Sequence, residues 1–140
     1  MGRFARRWRG VSAAHPGRMV VTYAVFDSNI LIDHLNGMSQ AGSAIDGYDN
    51  PAISIITWME LLGGANADNE ADTRLLLHQF ALVSITPEIA EAAALLRRSR
   101  KYKLPDIILA TAQVLGCVLV TRNTRDFDRA HQAIEVPYEL

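Results

Sequence analysis

The chain has 140 residues, 49% of them hydrophobic and 21% charged, which is the size and make-up of one ordinary globular domain. Its formal net charge is only -1 and it holds a single cysteine and four scattered histidines, so an intrachain disulfide, a thiolate zinc cluster and a close-spaced histidine metal pair are all excluded. No apolar run approaches the roughly 20 residues that span a bilayer as a helix, and a reducing cytoplasm is the expected setting.

Arg3, Arg6, Arg7, Arg9 and Arg18 occur in residues 1–18 without any acid, whereas the remainder carries nine basic residues against fifteen acidic ones, or -6. Residues 1–18 read as a basic, flexible extension ahead of a domain spanning 19–140. Arg6-Arg7 lacks the apolar stretch that an export signal needs after it.

In chain order, Val20–Phe26 is β-branched and aromatic and predicts a buried strand. Ser28–Leu35 predicts a helix stopped by Gly37. A short helix from Ser43 and a strand over Ala52–Ile56 follow. Thr57–Leu62 predicts a helix ended by Gly63-Gly64, and Asn69–Phe80 another with an apolar stripe. A third strand is expected at Leu82–Ile85. An alanine-rich helix follows over Glu88–Lys101, and then a helix from Pro105 that stops at Gly116. Cys117–Thr121 reads as a fourth strand, Thr124–Arg129 as a short helix and Ile134–Val136 as an edge strand. Strands that alternate with helices imply a three-layer α/β/α sandwich around a central, mostly parallel sheet.

Three carboxylates stand where apolar strands are expected to run into helices: Asp27 in VFDSNILID, Glu60 in ISIITWMELLGG and Asp106 in KLPDIILATAQ. In a parallel sheet such positions share the crevice beyond the strand ends. Each has an ordinary reading as well. Asp27 serves as a helix N-cap, Thr57 and Glu60 fit a capping box, and Asp106 complements a helix dipole. Three acids aimed at one crevice repel one another unless a hard cation such as Mg²⁺ or Mn²⁺ joins them. A fourth group follows the strand ending at Thr121: Asn123 offers a neutral oxygen and Asp126 a further carboxylate, the latter equally suited to pairing with Arg122 or Arg129. Thr121 is in position to reach a metal-bound water. Asp33 lies six residues past Asp27, about 600° around a helix, and reads as structural. The run Arg97–Lys103 reads as a solvated helix end or a phosphate contact. Trp58 and Tyr102 are able to stack bases, although core packing suits Trp58 better.

Taken together, VFDSNILIDHL, SIITWMELLGG, LPDIILATAQ and LVTRNTRDF resemble the PIN-domain ribonucleases and, within them, the VapC toxins of toxin–antitoxin modules. The resemblance covers nearly all of 19–140. It implies Mg²⁺- or Mn²⁺-dependent hydrolysis of RNA, possible targets being tRNA or ribosomal RNA. It assigns the acids in order to Asp27, Glu60 and Asp106, with the fourth position divided between Asn123 and Asp126. It also implies a VapB-type antitoxin, a toxin homodimer and no membrane. Leu61, Leu62, Leu75, Leu76 and Leu77 exceed what one helix pair requires and are expected either in a partner groove or in the core. The alternatives are an inactive interaction module with the same fold and a receiver-like phosphoacceptor; the latter needs a lysine after a late strand, which Lys101 and Lys103 do not provide.

Overall fold

The computed structural model describes residues 22–99, 104–123 and 133–140. Its elements are β1 (Ala24–Phe26), α1 (Ser28–Leu35), α2 (Ser39–Asp46), β2 (Pro51–Ser54), α3 (Ile55–Gly64), α4 (Glu70–Leu77), β3 (Ala81–Val83), α5 (Pro87–Ser99), α6 (Leu104–Leu115), β4 (Val118–Val120) and β5 (Ile134–Glu135). The strands form one sheet in the order β3-β2-β1-β4-β5, and every pairing is parallel.

The sandwich follows from strand alternation. Side chains on a strand point alternately to its two faces, and here both faces are apolar. Val25, Ala52, Val83 and Leu119 pack with Ile89, Ala93, Ile108 and Leu109 of α5 and α6. Ala24, Phe26, Ile53 and Val120 pack with Ile30, Leu31, Leu61, Leu76 and Phe80 on the opposite side. There Phe26 meets Phe80 and Tyr48 edge-to-face, each with ring centroids 5.6 Å apart. The central strands are sealed on both faces, as an all-parallel sheet requires.

Within the described residues each expected strand and helix is present, with strands shorter than expected and α2 starting at Ser39, four residues before the expected Ser43. β2 gives way to helix at Ile55, because the Ser54 hydroxyl caps α3 by accepting from the Ile56 amide at 3.1 Å. The capping box expected at Thr57 and Glu60 is therefore absent. Thr57 is already inside the helix, fully buried, with no hydrogen-bond partner for its hydroxyl among the described residues. Gly37 and Gly116 end their helices with φ of +86° and +66°, the left-handed region in which glycine carries no Cβ penalty. Of the surplus leucines, Leu61, Leu76 and Leu77 are buried and Leu62 packs against them, so only Leu75 is exposed. Trp58 packs on the same core. The half-buried Cys117 thiol is pushed up to about 11 by burial. The extension at 1–18, the helix expected at 124–129, Tyr102 and most of the basic run before Leu104 lie outside the described residues.

Candidate functional site

After β1 the chain turns towards β2 and β3, whereas after β4 it turns the other way to β5. The loops that leave β1 and β4 therefore diverge and open a crevice at their carboxyl ends, the place where open α/β sheets take ligands. Phe26 pairs with Val120 in register, and the Asp27 amide donates to the Val120 carbonyl at 2.9 Å. Asp27 and Thr121 consequently leave adjacent strands side by side.

Asp27 caps α1, its Oδ1 accepting from the Ser28 amide at 2.8 Å. Its Oδ2 accepts from the Thr121 hydroxyl at 2.8 Å and from Asn29 Nδ2 at 3.2 Å. The cap expected of Asp27 is thus real, and it orients the carboxylate at the crevice. The Thr121 hydroxyl also accepts from Asn29 Nδ2 at 3.2 Å and from the Asn123 amide at 3.0 Å. One proton and two lone pairs are then all engaged, which leaves Thr121 to hold Asp27 and not to reach a metal-bound water. Asn123 lies at the same loop through that amide. Asp126 lies outside the described residues.

Glu60 projects from the second turn of α3, beyond the end of β2. Partial burial, and after it the negative charge of Asp27, raise its proton affinity above that of an ordinary glutamate. The two acids therefore share one field.

Asp106 reaches the same edge of the sheet by another route. It follows α5, not a strand as expected, and sits in the first turn of α6, which runs back alongside β4. It is completely buried, and among the described residues no hydrogen-bond donor reaches either carboxylate oxygen. Arg97 Nε approaches Oδ2 to 3.8 Å, an ion pair too long for a hydrogen bond. The structure thus brings Asp27 and Glu60 together and holds Asp106 against Arg97. Among the described residues, no three acid, histidine or cysteine side chains are grouped closely enough to hold a metal ion.

Asn29, Asp33, Arg122 and Tyr138 also belong to this region, and sequence reasoning assigned none of them to the site. The Asp-x-Asn spacing at 27–29 was the available signal for Asn29, whereas the others meet only in three dimensions. Beside Glu60 a recess of about 260 Å³ opens between α1, α3 and α4, lined by Ile32, Leu35, Asn36, Leu61 and Thr73. Ile32, Leu35 and Met59 are exposed there or nearby on the same two helices.

The profile of the PIN domain matches residues 24–132. The chain belongs to the PIN-domain family. It is similar to a toxin–antitoxin complex from Klebsiella pneumoniae at 43% identity and a TM-score of 0.76, over 84% of this chain and 99% of that one. DNA-bound VapBC from Salmonella typhimurium shares the fold at 24% identity and a TM-score of 0.72, over 82% and 98% of the two chains. VapBC2 from Rickettsia felis, bound to a DNA fragment from its promoter, shares it at 18% identity and a TM-score of 0.69, over 81% and 98%. A comparison with curated proteins gives no match.

Proposed function

We propose that this protein is a VapC-type toxin, a metal-dependent ribonuclease that hydrolyses phosphodiester bonds in RNA and is restrained by an antitoxin. The observation that carries the proposal is Asp106, a fully buried carboxylate whose two oxygens meet no described hydrogen-bond donor, in a fold where Asp27 and Glu60 share a field. Such a group is costly unless a cation or donors complete it. The donor set is all oxygen, which suits Mg²⁺ or Mn²⁺. Mg²⁺ keeps several waters and needs only one or two carboxylates, so a closed protein cage is not required.

In this reading Asp27 and Asp106 hold the ion, with Asn123 or Asp126 completing the set. The ion, when bound, supplies Lewis-acid charge to the phosphate and to the attacking water. Glu60, its proton affinity raised, is suited to take a proton from that water as general base or to serve as a further ligand. Water oxygen forms the new bond to phosphorus, the bond to the 3′ oxygen breaks, and that oxygen leaves as a hydroxyl by taking a proton from solvent. The apolar recess beside Glu60 suits an antitoxin segment that presents apolar side chains and a basic one, and the similar Klebsiella structure is of a toxin–antitoxin complex. A homodimer acting in the cytoplasm completes the proposal.

A second reading, a partner-binding module without catalysis, draws on the lack of three grouped ligands among the described residues. One experiment separates the two. Antitoxin-free protein is incubated with structured RNAs, including tRNA and ribosomal RNA, in Mn²⁺, Mg²⁺ or EDTA, beside folded Asp27→Asn. Cleavage that needs metal and Asp27 supports the nuclease. No cleavage of any RNA, total RNA of the native host included, overturns it in favour of the module.

A further inference from the structure

Asp33 is a buried acid one helical turn beyond Asn29 on α1, and three donors converge on it. Arg122 gives it Nε at 2.7 Å and Nη2 at 3.0 Å, and the Tyr138 hydroxyl adds a third bond at 2.8 Å. A two-pronged guanidinium contact fixes orientation as well as distance. Arg122 lies in the loop that leaves β4, so fixing its side chain restrains that loop. Its backbone amide donates to Asn29 Oδ1 at 3.2 Å. A backbone N–H can only donate, so the Asn29 carbonyl must face it, and the Asn29 NH₂ group must turn the other way. There it donates to Asp27 Oδ2 and to Thr121 Oγ1, both at 3.2 Å.

We infer that Asp33, Arg122 and Tyr138 form a clamp that positions Asp27 through Asn29, so that a residue near the carboxyl end of the chain helps to set the geometry of the crevice. The donors that reach Asp27 through this relay are neutral, so they aim its carboxylate without neutralising it. The charge of Asp33 is matched by Arg122 and adds nothing to the repulsion between Asp27 and Glu60. These are positioning residues. Their purpose rests on the ribonuclease reading, but the relay itself rests on the hydrogen bonds.

The test uses the full chain with Arg122→Gln, Arg122→Lys, Tyr138→Phe, Asn29→Ala and the double variant Asn29→Ala/Arg122→Gln. Three quantities are read: melting temperature, the NMR signals of the Asn29 side-chain amide, and Mn²⁺ affinity by calorimetry. The expected result is a displaced or broadened Asn29 amide in folded Arg122→Gln, with Mn²⁺ binding weakened by about 10-fold or more, the scale of outer-shell effects. Arg122→Lys keeps the charge, loses the fork and is expected to rescue little. The double variant should bind no more weakly than Asn29→Ala alone, because both act on one relay. If Arg122→Gln does not fold, Tyr138→Phe, which removes one hydroxyl, carries the same comparison. A folded clamp variant with a lower melting temperature but an unchanged Asn29 amide and unchanged Mn²⁺ affinity overturns the inference and leaves a purely structural ion pair. If the wild-type protein binds no Mn²⁺, the metal reading fails, and the relay is decided by the Asn29 signals alone.

Discussion

Replacing Asp106 by asparagine is expected to stabilise the metal-free protein. The side chain is completely buried, its oxygens have no described hydrogen-bond donor, and Arg97 stands off at 3.8 Å. A buried polar group left unsatisfied costs about 1–3 kcal/mol, and a charged one more. Asparagine in the same place still lacks partners, so the recovered part is about 1–2 kcal/mol. Arg97 loses little in the exchange, because its side chain is 52% exposed and stays hydrated. For a domain of this size the gain is a rise of about 3–10 °C in melting temperature. Metal should reverse the ranking. At about 100 times its dissociation constant, an ion that binds only the folded protein adds roughly 2.7 kcal/mol. The wild type receives that in full and the variant only in part. The assay is thermal unfolding followed by circular dichroism, in EDTA and in a Mn²⁺ series. A variant that melts below the wild type in EDTA, or an equal response of both proteins to Mn²⁺, refutes the reasoning.

Three further outcomes are expected. Glu60 binds its proton more tightly when folded, so its contribution to stability is fully present below the unfolded value near pH ~4.3 and is lost as pH rises through the folded one. Glu60→Gln should therefore stabilise the metal-free protein at neutral pH and make no difference near pH 4, as read from urea unfolding in EDTA at several pH values. Asp33 behaves oppositely: burial alone would raise it, but the Arg122 and Tyr138 hydrogen bonds and the Arg122 charge outweigh burial and hold it below the usual carboxylate range. Its stabilisation is present above about pH 4 and fades as pH falls through the lowered folded value, so Asp33→Asn should cost about 2–3 kcal/mol at pH 7, discounted for the partly exposed Arg122, and progressively less in acid. Phe80→Ala should cost about 3–5 kcal/mol in the same unfolding measurement, because the ring is fully buried against Phe26.

The architecture was legible because periodicity reports burial. Runs such as Ala24–Phe26 and Val118–Val120 are apolar on both faces, which only a sheet covered twice can use. Asp27 was legible for the same reason, since a polar residue that ends such a run must sit at the strand's exit. Glu60 was placed correctly although its local reading failed: Ser54 took the cap that Thr57 was expected to supply, and the helix began two residues earlier. Asp106 was expected to follow a strand and instead opens a helix that follows another helix and returns beside β4. What stayed hidden was the pairing of distant residues. Asp33 meets Arg122 across 89 positions and Tyr138 across 105, and nothing local in the sequence records either bond. The same holds for two of the partners of Thr121, Asp27 and Asn29, the third being the nearby Asn123 amide. A hydroxyl at a strand end looks available until its neighbours are known. Local pattern identifies which groups reach the crevice, whereas which of them are left able to bind a ligand is decided by long-range hydrogen bonds that consume the rest.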